Sequence, residues 1–186
     1  MKFEPLVKSN KNELYLISSG SKISLEKINF VNADSPETLF EQKDDVVTAV
    51  LADWQTVEIQ QGVYNEELLA SLRENLKKLE EDKKFAFIIP SSKKELADAE
   101  LASDFIAAMV HLARRIKDCA SVIGFAIPSQ FIKKDSSIGF TENSWTQWFI
   151  NEMSVKHSHY VYFAEKQTVK DANLCESCSK TGLILY

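Results

Sequence analysis

Strongly apolar strand-type runs alternate along this chain with amphipathic helices, and that alternation limits the available folds more than any other feature. Val46 to Leu51 is a β-rich buried run. A helix follows from Asn65 to Lys84, with Leu68, Leu69, Leu72, Leu76 and Leu79 on one stripe, acids in its first turn and lysines at its end. Phe85 to Ile89 is the next strand, which Pro90 is expected to stop. A second helix from Ser103 to Asp118 carries Phe105, Ile106, Met109, Ala113 and Ile116 on one face. Ser121 to Ile127 is a further strand, and Ile138 to Thr141 a short one. Ser144 caps a helix with Trp145, Trp148, Phe149 and Met153, and Tyr160 to Ala164 then reads as a strand before the apolar tail Thr181–Tyr186. Near the N-terminus, Leu14–Ile17 and Ile23–Phe30 flank a Ser/Gly turn and read as a hairpin. Strands buried on both faces and joined by helices make a parallel sheet.

Composition narrows the function classes. The 186 residues carry a net charge of −5 without a Lys/Arg patch, so nucleic acid is not an expected partner. No apolar run has the length of a membrane span. The first residues lack the apolar stretch of a signal peptide, which makes a cytoplasmic setting the expectation, with secretion the alternative if a leader has been removed. No cofactor is expected, since no glycine-rich phosphate loop follows a strand. Cys175 and Cys178 have C-x-x-C spacing, but a zinc site needs about four ligands, and Cys119, His157 and His159 are not spaced to complete one. Two incidental thiols is the plainer reading. His157 and His159 would share one face of a strand.

In parallel α/β folds the chemistry gathers where strands end and loops begin. The residues just after strands are Asp53 and Trp54, Ser91 and Ser92, Ser129 and Gln130, Glu142 and Asn143, and Glu165 and Lys166. Asp53, Glu142 and Glu165 are the carboxylates among them. For each, a solvated surface acid is the ordinary reading.

Taken in order, these segments resemble the cellulase-type, family-five glycoside hydrolases. Trp54 to Glu67 is similar to that family's loop and helix start after the second strand. Ala113 to Phe131 is similar to the fourth-strand block, around Val122-Ile-Gly-Phe125. Ser137 to Asn143 looks like the seventh-strand segment, and Trp145 to Glu165 with the tail looks like the last helix and the eighth strand. The resemblance implies an abridged (β/α) TIM-type barrel of about six strands, a single domain over residues 1–186 with an N-terminal β-hairpin and the first strand within residues 10–30. It implies a nucleophile at Glu142, with Trp54, Ser129 and Asn143 lining a sugar site. It also puts Gln130 where the family has its general-acid Glu, Ala49 near its Arg, Ser91 and Ser92 at its His pair, and Phe163 near its Trp.

Retaining hydrolysis needs two carboxyl groups about 5–5.5 Å apart. An amide cannot protonate a leaving oxygen, and the lost term is typically about 10²–10⁴-fold. The expectation is therefore a catalytically inactive, glycoside-hydrolase-like protein that serves as a carbohydrate-binding or structural module. One alternative is an active retaining glycosidase using Glu142 with Asp53, Glu58 or Glu165. The other is a subunit, homo-oligomeric for instance, whose open barrel edge a partner covers.

Overall fold

The computed structural model describes residues 4–10, 12–35 and 46–186. The polar stretch around Pro36 lies outside the described residues.

Three short strands, β1 (Val7–Asn10), β2 (Glu13–Leu16) and β3 (Lys22–Ile23), form an antiparallel sheet in that order. The 17–21 turn closes with Gly20 at φ +69°, a conformation that suits glycine. The run from Ile23 to Phe30 is not one strand. Ile23 ends the hairpin, and β4 (Ile28–Asn32) opens the main sheet.

That sheet is six-stranded and wholly parallel. Its other members are β5 (Val47–Asp53), β8 (Ala86–Ser91), β9 (Val122–Ala126), β10 (Val161–Ala164) and β11 (Ile184–Leu185). A small ribbon of β6 (Glu58–Gln60) and β7 (Val63–Tyr64) follows β5. Spatial order in the sheet repeats chain order, β4-β5-β8-β9-β10-β11. Each connection therefore steps to the next strand in the same direction, and the sheet curls into a half-barrel with helices on its convex face. The fold is α/β, as the alternation predicts.

The helices form where caps and stripes coincide. The α1 turn (Trp54–Val57) is capped by Asp53, whose carboxylate accepts from the Gln55 N–H. For α2 (Glu66–Glu81), the Asn65 side chain accepts from Leu68 N, and Leu69, Leu72, Leu76 and Leu79 are buried. The α3 helix (Ala99–Ile116) starts four residues before the periodicity suggests, because Asp98 caps it through Leu101 N at 2.9 Å. Burying one such Leu, Phe or Met stabilises by roughly 1.5–3 kcal/mol. These side chains meet the convex face of the sheet at Val50, Ile88, Phe125 and Ala164. On the concave face, Val7 and Leu14 of the hairpin pack with Val47, Ala49, Phe87, Ile123 and Phe163. The hairpin thus plugs the half-barrel toward its N-terminal end and leaves the C-terminal end open. Gly124 allows β9 and β10 to approach: a Cβ there would lie 1.9 Å from the Val161 carbonyl oxygen.

Two further sequence expectations are corrected. Strand β8 passes through Pro90 to Ser91, because its ladder with β9 ends at Ile88 and the missing N–H costs no sheet bond there. Ile138–Thr141 is not a strand. After α4 (Ser129–Lys134) and a 3-10 turn (Asp135–Ser137), Ile138 N and Gly139 N both donate to Asp135 O, and Gly139 sits at φ +70°. The buried Asp135 carboxylate accepts from Trp145 N at 2.8 Å and Thr146 N at 2.9 Å, so it anchors the positive end of α5 (Trp145–His157). The segment is a turn built to start a helix.

Candidate functional site: a cleft at the carboxyl ends of the strands

A cleft of about 300 Å³ opens where the strands end. Its floor is Leu51, Ile89 and Pro90, and its walls are Ser91, Ser92, Leu96, Pro128, Ser129 and Gln130. Phe30, Phe105, Glu165 and Tyr186 complete the lining. These residues come from β4, β5, β8 and the loop after it, α3, the start of α4, the end of β10 and the residue after β11, so the sheet's curl brings them together. Among the described residues, no Lys, Arg or His lines the cleft, and Glu165 is its one carboxylate.

Glu165 directly follows β10, and that position brings it to the cleft. Glu142 lies in an exposed turn before α5 and does not line the cleft, nor does the exposed Asn143 beside it. Glu165 precedes α6 (Lys166–Asp171) and accepts a hydrogen bond from the Thr168 hydroxyl; Ser129 Oγ lies 3.5 Å from the same oxygen. Tyr186 beside it is held by Tyr186 N donating to Ala164 O and Lys166 N donating to Tyr186 O. Burial, reinforced by the Glu165 charge, pushes the Tyr186 phenol well above its ordinary range.

Gln130 has a structural task. Its amide NH₂ donates to Ser92 O at 3.2 Å and Lys94 O at 3.0 Å, while its carbonyl accepts from Leu96 N at 2.7 Å. On the far side of the same loop, Gln55 donates to Ser92 Oγ and accepts from Lys93 N. Lys134 Nζ donates to Ala97 O at 2.6 Å. Three side chains thus clamp the loop that carries Ser92 and Leu96 into the cleft. The amide at 130 matches this set: two carbonyls need donors and one N–H needs an acceptor.

The remaining carboxylates have other work. Asp53 caps α1. Glu58 accepts from the Trp54 indole and from Gly62 N, and Trp54 is buried edge-on against Phe105 and does not line this cleft. His157 ends α5 and His159 lies in the turn before β10, so the two imidazoles do not share a strand face; their rings stand 6.2 Å apart at 70°. Burial holds His157 down at about 4. Cys178 is buried and its thiol is pushed up to about 11, while Cys175 is exposed, both on the short α7 (Cys175–Thr181). No group of three His, Cys, Asp or Glu side chains that could hold a metal occurs among the described residues.

Phe30 and Tyr186 were missing from the sequence reading of the site. Phe30 alternates with Val31, which is buried under the helices on the convex face of an end strand, a parity signal, whereas nothing local marks Tyr186.

The molecule is thus an open (β/α) half-barrel with a cleft at the carboxyl ends of its strands. Among solved structures it is similar to the crystal structure of a GH5_18 from Bifidobacterium longum subsp. infantis, with a TM-score of 0.49 and 9% identity over 74% of this chain. The match covers 43% of that structure's chain, so this chain spans less than half of it. No family model and no curated protein matches the chain.

Proposed function

We propose that this protein is a glycoside-hydrolase-like module that binds carbohydrate without cleaving it. The observation that carries this reading is the composition of the cleft: serine hydroxyls and one carboxylate set beside the rings of Phe30 and Tyr186. Aromatic faces receive the C–H faces of sugar rings, and hydroxyls with a carboxylate read their OH groups. The order of sequence segments that resemble family-five glycoside hydrolases supports the same class.

Absence of turnover follows from the chemistry of that lining. Glu165 can act as a nucleophile or as an acid, but the two-carboxyl mechanism needs both. Gln130 neighbours it across β9 and β10, cannot give up a proton and is committed to the loop clamp. Aryl glycosides with good leaving groups test this most severely, because they need little acid assistance. No release of aryl alcohol by the wild type is expected. Release that disappears in Glu165→Gln would replace this reading with an active glycosidase.

One observation favours a second reading, a half-barrel completed by a partner. Phe30 on the end strand β4 is 55% exposed, and exposed strand ends are commonly covered. Sedimentation of the pure chain as a monomer at high micromolar concentration would remove self-association from consideration.

A further inference from the structure

We infer that the ligand of this cleft carries a protonated amine, so that the sugar class recognised is an amino sugar. The inference rests on the proposed carbohydrate cleft and specifies its occupant.

Charge on the lining is the starting point. Glu165 supplies the cleft's one side-chain carboxylate and no basic side chain lines it. Its contacts there are two hydroxyls, those of Thr168 and Ser129. Hydroxyls orient a carboxylate but bring no compensating charge. Beside the neutral polar groups of Ser91, Ser92, Ser129 and Gln130, the lining is apolar at Leu51, Ile89 and Pro90, and Tyr186 packs beside the carboxylate. A carboxylate against an apolar floor attracts a cation more strongly than it would in open water.

The aromatic rings point the same way. Phe30 and Tyr186 line the same cleft as Glu165. An ammonium between a carboxylate and an aromatic face gains from both the ion pair and the ring quadrupole. A neutral sugar would place a hydroxyl there and gain only a neutral-donor bond to the carboxylate. An acidic sugar would meet repulsion from Glu165 with no cation among the lining residues to offset it. A volume of about 300 Å³ is at the small end of ligand pockets, which suits a single ring rather than a chain of them.

Calorimetric titration of the full chain with glucose, glucosamine, glucuronic acid and benzylamine tests the inference. Glucosamine is expected to bind about tenfold or more tighter than glucose, the ratio that one charge-assisted hydrogen bond supplies. Glucuronic acid should bind weakest. Glu165→Gln should remove most of the glucosamine preference, and Phe30→Ala should weaken both sugars and narrow their ratio, because the ring quadrupole no longer favours the ammonium. Equal binding of glucose and glucosamine by the wild type would overturn the amine preference and leave the carbohydrate cleft standing. A glucosamine preference undiminished in Glu165→Gln would overturn the assignment to this carboxylate. Benzylamine bound as tightly as glucosamine would overturn the sugar specificity, and no binding of any of the four would overturn both readings. A native circular dichroism spectrum and unfolding midpoint of each variant separates lost recognition from lost fold.

Discussion

Gln130→Glu installs the carboxyl group that the sequence resemblance associates with general acid, and it should damage the protein rather than awaken it. The amide NH₂ donates to Ser92 O and Lys94 O, and a carboxylate offers no donor to either. Two lost bonds at about 0.5–1.5 kcal/mol each give about 1–3 kcal/mol, and the new charge then faces two carbonyl oxygens. The bond from Leu96 N survives, since a carboxylate oxygen can accept it. Facing carbonyls disfavour the charged form, so the folded-state pKa of the new Glu is raised above its unfolded value near about 4.3. The unfolded chain then releases its proton first as pH rises. The deficit is small below about pH 4, where the protonated acid can donate again, and grows to its full size at neutral pH. Urea unfolding of wild type and variant side by side at pH 7 and at pH 4 measures the difference directly. A variant as stable as wild type at pH 7 would refute the clamp, and aryl glycoside turnover by the variant would refute the structural assignment of this side chain.

Three further outcomes follow from the fold. Burial depresses His157 to about 4 against an ordinary value of 6.5, so the stability tied to its neutral form is present above pH 6.5 and is lost as pH falls toward 4. The loss reaches about 3 kcal/mol, and His157→Phe should flatten that part of the stability–pH curve measured by urea unfolding. Leu72→Ala and Met109→Ala, both in fully buried positions, should each cost about 2–5 kcal/mol in chemical denaturation. Gly124→Ala places a Cβ 1.9 Å from the Val161 carbonyl oxygen, which forces β9 and β10 apart; a loss of about 3 kcal/mol or more is expected in the same assay.

Much of the architecture was legible because it rests on local signals. The leucine stripe of α2, the Ser144 cap of α5 and the buried runs of β5 and β9 are each written in a few adjacent residues. The departures came where tertiary partners override a local pattern. Ile138 to Thr141 has strand-like residues, yet Asp135 and Gly139 turn it into the entry to α5. With that turn in place, Glu142 lies away from the cleft that Glu165 lines. Ser129 and Gln130 were placed at the cleft from sequence, because they directly follow β9. The role of Gln130 was hidden, because its partners at Ser92, Lys94 and Leu96 lie more than thirty positions away. The resemblance also implies a sugar contact at Trp54, whereas its ring is buried against Phe105 and lies outside the cleft.

The central claim is that the open end of the half-barrel binds sugar and leaves it intact. A heteronuclear NMR titration of the labelled protein with glucosamine tests both parts in one sample, because protein amides and sugar resonances are read together. The account predicts saturable shifts at Phe30, Ser91, Ser92, Ser129, Glu165 and Tyr186, and the same protein incubated with an oligomer of that sugar leaves its linkage resonances unchanged. Shifts confined to the convex helical face, or loss of the linkage resonances on incubation, would contradict it.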